Sequence, residues 1–90
     1  MKGTRKREAV FDIEFRRDLK FWIKTDRKIA LRVMELVGAA IREPFQGIGK
    51  PEPLKHELAG CWSRRINPEH RLVYRVTQSR IDFLQARYHY

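Results

Sequence analysis

One carboxylate, Glu52 in "KPEPLKH", stands between two prolines that limit the backbone around it, with Lys55 and His56 close behind. Arg64 and Arg65 follow in "WSRRI", Arg71 in "EHRLVY", and Arg87, His89 and Tyr90 in the closing "ARYHY". A carboxylate, an imidazole and several cations form a set that can cleave RNA without a metal. The carboxylate can take the proton of a ribose 2′-hydroxyl as that oxygen attacks the adjacent phosphorus. Arginine and lysine can stabilise charge growing on the phosphoryl oxygens. A protonated imidazole can donate to the departing 5′-oxygen, and DNA, lacking the 2′-hydroxyl, would be spared.

Each residue also has a plainer reading. Glu52 could be an ordinary loop charge, and Arg65 and Arg71 could be solvated or paired with Glu57 or Glu69, pairs that contribute little. His89 could pack in a core and Tyr90 could be a free end. Trp62 and Tyr74 read as core residues rather than base-stacking platforms. From the residues alone, RNA binding and RNA cleavage both stand.

Other chemistries fit less well. "GIGK" is not a phosphate-binding P-loop, because proline follows the lysine where a serine or threonine would meet magnesium. His56, His70 and His89 lack metal-ligand spacing, and no cysteine pair joins them, so neither a metal nor another cofactor is expected. Cys61, beside Trp62, reads as a packing residue rather than a nucleophile.

These groups must be positioned by a small body. Ninety residues with 42% apolar content make one domain near the low end of self-sufficient size. Residues 1–8 are expected to be a basic extension and 9–90 the folded domain. The net charge of +9 is spread over both halves of the chain, so the basic field belongs to the folded body and favours polyanions. Cys61 is the only cysteine, which excludes an internal disulfide and suits a reducing cytoplasm. No secretory signal or bilayer-spanning run is evident.

"AVFDIEF" (9–15) reads as a first strand, and Phe15, Leu19 and Trp22 as one face of a helix to about residue 24. "TD" at 25–26 offers a cap between helices. Ile29, Val33, Leu36, Val37, Ala40 and Ile41 form the apolar stripe of a second helix, stopped by Pro44. "EPFQGIGKPEP" then reads as a loop, followed by strand-like segments at about 54–58, 61–67, 70–77 and 80–89. The expectation is an α+β fold: a small, mostly antiparallel sheet with two N-terminal helices on one face. Its other face, carrying Ser63 and Arg65, would be open and basic. Neighbouring strands would let the distant chemical residues converge there.

The blocks "KPEPLKHELAG", "WSRRI", "EHRLVYRV" and "RYHY", with "WIKTDRK" and "PFQGIGKPEP", occur in an order and spacing that resembles the YoeB toxins of the RelE-like superfamily. That resemblance implies a ribosome-dependent endoribonuclease that cleaves messenger RNA in the A site unless held by a YefM-like antitoxin. It implies Glu52 as general base, Arg71 as phosphate-stabilising group, His89 as general acid and Tyr90 as the residue ordering the site. Lys55 and Arg65 would support phosphate binding. Arg64 and Arg87, cations of the same set, are expected to add to it. The partners implied are the antitoxin, the ribosome with its mRNA, and a second copy of the chain in a homodimer. A rival expectation is a non-catalytic basic module that binds RNA or the ribosome and acts through an acidic partner.

Overall fold

A computed structural model describes residues 6–88 of the chain. Its elements run β1 (Glu8–Phe11), α1 (Ile13–Thr25), α2 (Arg27–Arg42), β2 (Glu52–Pro53), a short 3-10 turn (His56–Leu58), β3 (Cys61–Arg65), β4 (Arg71–Val76) and β5 (Arg80–Gln85). The sheet order is β1-β5-β4-β3-β2. β1 pairs with β5 in parallel, and every other pairing is antiparallel. This is the α+β arrangement read from the sequence. His89 and Tyr90 lie outside the described residues.

Pairing begins at Glu8, opposite Arg80, inside the stretch read as a basic extension. Arg7 also reaches in, donating from Nε to the Thr77 carbonyl at 2.8 Å. The first strand is shorter than 9–15, because the helix starts at Ile13 and claims Phe15. In the helix Phe15 points with Trp22 into the core and packs against Phe11 and Phe83, ring centroids 5.4 and 5.9 Å away. An extended Phe15 would forfeit that face, so packing overrides its β propensity.

Asp26 serves both helices. Its backbone N–H ends α1 on the Trp22 carbonyl, and its side chain caps α2 by accepting the Ile29 N–H at 3.3 Å. Val33, Leu36, Val37 and Ala40 bury against the sheet as the stripe requires, whereas Ile29 is only partly buried, Ile41 turns outward, and Ala30 and Ala39 take buried places. The main core lies between the two helices and one sheet face, around Phe15, Trp22, Leu36, Leu72, Tyr74 and Phe83.

The opposite face is only partly open. Leu54 and Leu58, from the stretch read as a strand over 54–58, form a short strand end and a 3-10 turn that pack on Cys61 and Val73. Ser63, expected on an open face, is fully buried between its partners Glu52 on β2 and Val73 on β4. The satellite cluster leaves one end of the face uncovered, where Arg65 stands opposite Arg71.

Candidate active site

Three strands build the open end. Glu52 on β2 is in register with Ser63 on β3, and Arg65 on β3 with Arg71 on β4. Directly paired residues project to the same side of a sheet, so Glu52, Arg65 and Arg71 share one face. Pro51 and Pro53 flank Glu52, fixing φ on both sides of it. The Glu52 Oε1 lies 3.4 Å from Nη1 of Arg71. The plainer pairing of Arg71 with Glu57 or Glu69 is not what forms.

The Arg71 side chain is 13% exposed and that of Glu52 56%, so the carboxylate faces solvent while the guanidinium is recessed. Nε of Arg71 is buried with no hydrogen-bond partner among the described residues. A desolvated guanidinium N–H without an acceptor is costly, and an incoming phosphate oxygen would satisfy it. Beside the pair, residues 52–58 line a depression of ≈ 440 Å³ that includes Lys55 and His56, both exposed. Among the described residues no group of three or more His, Cys, Asp or Glu side chains could hold a metal ion.

Two arginines of the expected set are engaged elsewhere. Arg64 belongs to the core rather than to a phosphate site: it is fully buried on the helix-facing side. Its Nε donates to the Tyr74 hydroxyl at 3.0 Å, and Nη1 and Nη2 donate to the carbonyls of Ile48, Glu43 and Gln46. Strand alternation places it opposite in facing to Arg65, so only one of the "RR" pair reaches solvent. The Arg87 guanidinium stacks over the Phe21 ring of α1 at 3.5 Å and also against Tyr88, which ties it to the helix side.

The segment leading to His89 is held by groups that spacing did not single out. Trp22 Nε1 donates to the Ala86 carbonyl at 2.8 Å, and Asp18 accepts the Ala86 N–H at 2.9 Å. Burial raises the Asp18 carboxyl above its ordinary value, with the Ala86 N–H pulling the other way. Nδ1 of His70 accepts the Tyr88 N–H at 2.7 Å, and the Arg71 N–H donates to the Tyr88 carbonyl at 3.2 Å. The last described carbonyl before His89 therefore hangs on the backbone of Arg71. One sequence signal could have found His70: if Arg71 faces the open side, its neighbour on the strand faces the core.

A mixed sheet backed by two N-terminal helices, with a carboxylate and an arginine on its exposed end, is a RelE-like toxin fold. Solved structures agree. The YoeB/ParE toxin from Agrobacterium tumefaciens superposes with a TM-score of 0.88 at 46% identity, covering 92% of this chain and 99% of that one. The YoeB of Staphylococcus aureus superposes as a dimer with a TM-score of 0.84 at 40% identity, and in a YoeB–YefM complex with 0.82 at 38%. Each comparison covers 94% of this chain and 99% of that one.

The sequence profile of the YoeB-like toxin of bacterial type II toxin–antitoxin systems matches residues 11–90. Toxin YoeB of Mycobacterium bovis is 54% identical over 84 residues, 93% of this chain and 99% of its own length. The chain belongs to the YoeB toxin family.

Proposed function

We propose that this toxin is a ribosome-dependent endoribonuclease that cuts messenger RNA in the ribosomal A site by metal-independent acid–base chemistry. Glu52 removes the proton from a ribose 2′-hydroxyl, whose oxygen attacks the adjacent phosphorus. The bond from phosphorus to the 5′-oxygen breaks, and His89 gives that oxygen a proton. The products are a 2′,3′-cyclic phosphate and a 5′-hydroxyl, with one proton taken and one returned. Arg71 stabilises the charge gathering on the phosphoryl oxygens, Lys55 and Arg65 hold flanking phosphates, and Tyr90 orders the reacting nucleotide.

The observation that carries this reading is the meeting of Glu52 and Arg71 at 3.4 Å on an uncovered sheet end, beside an Arg71 Nε that has no partner among the described residues. Holding the 2′-oxygen in line with the leaving oxygen supplies much of the rate, and the ribosome contributes by presenting the mRNA in a set path. A cytoplasmic location follows from that target. The proposed protein partners are a YefM-like antitoxin and a second copy of the chain, by analogy with the S. aureus complex and dimer. A net charge of +9 suits an acidic antitoxin segment.

The test is a toeprint on programmed ribosomes. Wild type should give A-site cuts with free 5′-hydroxyl ends, and the Glu52→Gln, Arg71→Ala and His89→Ala proteins should each lose at least about tenfold in rate. Salt-sensitive ribosome binding without new RNA ends would favour the inert basic module instead.

A further inference from the structure

Tyr88 has a backbone that needs support. Its φ is 67°, in the left-handed region that bulky residues rarely enter. Its side chain does not supply that support by burial, since the residue is 57% exposed. Both of its backbone polar groups are instead taken by consecutive residues at the start of β4. His70 accepts the N–H through Nδ1 at 2.7 Å, and Arg71 donates its own N–H to the carbonyl at 3.2 Å.

His70 is well placed for this work. It is 8% exposed, and its ring meets Trp22 edge-on with centroids 4.8 Å apart. Trp22 in turn holds the Ala86 carbonyl. An imidazole nitrogen accepts an N–H only when it carries a lone pair, so the ring proton sits on Nε2, whose neighbouring carboxylate oxygen is Glu69 Oε1 at 3.8 Å. On the opposite side of the strand, the next side chain is Arg71, already beside Glu52.

We propose that His70 is a positioning residue for the cleavage reaction: its unprotonated Nδ1, acting with the Arg71 backbone, sets the direction in which the chain leaves Tyr88, one residue before the proposed acid in the sequence. The inference rests on the cleavage reading above. One strand then does two jobs. Arg71 faces the phosphate, and His70, facing the core, aims the segment that carries the acid.

A bland role for His70, filling space against Trp22, makes the opposite prediction for a pair of variants. His70→Asn keeps an acceptor at the δ position and gives up the ring. His70→Phe keeps the ring and gives up the acceptor. Space-filling ranks phenylalanine above asparagine, whereas positioning ranks asparagine above phenylalanine. In the ribosome assay His70→Phe should lower kcat by roughly 10- to 100-fold with KM within about twofold, while His70→Asn keeps kcat within about fivefold.

Amide hydrogen exchange at Tyr88 in the full chain reads the same bond without activity. Protection is expected in wild type and His70→Asn, with fast exchange in His70→Phe. A His70→Phe protein that cleaves as well as wild type, or a wild-type Tyr88 amide that exchanges freely while cleavage is intact, overturns the assignment. Wild-type protein that protects Tyr88 yet cuts no mRNA defeats the cleavage reading instead, and with it the reaction His70 would serve.

Discussion

Arg64 on β3 and Tyr74 on β4 are joined beneath the helices, Nε to hydroxyl at 3.0 Å, and together they bind the backbone that follows α2. The Tyr74 hydroxyl donates to the Pro44 carbonyl at 2.7 Å, while Arg64 holds the carbonyls of Glu43, Gln46 and Ile48. The loop they fix ends at Pro51, one residue before the proposed base. A buried cation satisfied by carbonyls thus anchors the strand that carries Glu52.

Removing that cation leaves several buried acceptors without donors. Arg64→Ala should lose about 3 kcal/mol or more in urea unfolding, from unsatisfied groups at ~1–3 kcal/mol each plus lost packing. Tyr74→Phe, which deletes one hydroxyl, should lose only about 1–2 kcal/mol. An Arg64→Ala protein as stable as wild type would show that the loop does not depend on it.

Gly49 meets the same anchor from the other side. It sits at φ 82°, and a Cβ there would lie 2.8 Å from Leu36 Cδ2 and 3.1 Å from Arg64 Cβ. Gly49→Ala should destabilise by roughly 1–3 kcal/mol, through both the backbone conformation and the clash. Thermal unfolding should register a clear fall in Tm.

Glu52→Gln separates chemistry from stability. The Glu52–Arg71 contact is long at 3.4 Å and its carboxylate is 56% exposed, so removing the carboxylate charge should change unfolding free energy by less than about 1 kcal/mol. A-site cleavage should nonetheless fall by about 100-fold, within the usual range for a general base. Parallel losses of stability and activity would assign Glu52 a structural role.

Asp18 gives a pH signature. Its carboxyl is raised in the folded state, chiefly by burial, so the native protein holds the proton more tightly than the unfolded chain. Its favourable contribution is complete below the ordinary value of 3.8 and is lost as pH rises through the raised folded value. Unfolding free energy measured across the mildly acidic range should therefore show a falling component in wild type that Asp18→Asn lacks. The asparagine retains an oxygen for the Ala86 N–H, so the segment should remain docked.

Much of the fold is visible in periodicity. The α2 stripe and the stop at Pro44 need only helical spacing and a residue that excludes helix before it. Over residues 9–15 the sequence supports two readings that overlap at Phe15, which suits a strand but also opens the helical face shared with Leu19 and Trp22; the helix starts at Ile13, and Phe15 packs from it against Phe83 as Phe11 does from β1. Residues 54–58 are ambiguous in the same way, since their apolar groups fit a strand but pack as a cap over Cys61 and Val73.

At the site, the sequence alone determined which chemical groups were available: one proline-flanked carboxylate, Arg71, and a closing histidine and tyrosine. Tertiary structure decided how the remaining groups are used. It buried Arg64, exposed Arg65, stacked Arg87 on Phe21, and made His70 a holder of Tyr88. Residue type records what a side chain can donate or accept. Which face it occupies, and whether its donors are already spent on carbonyls, follows from strand register and long-range packing.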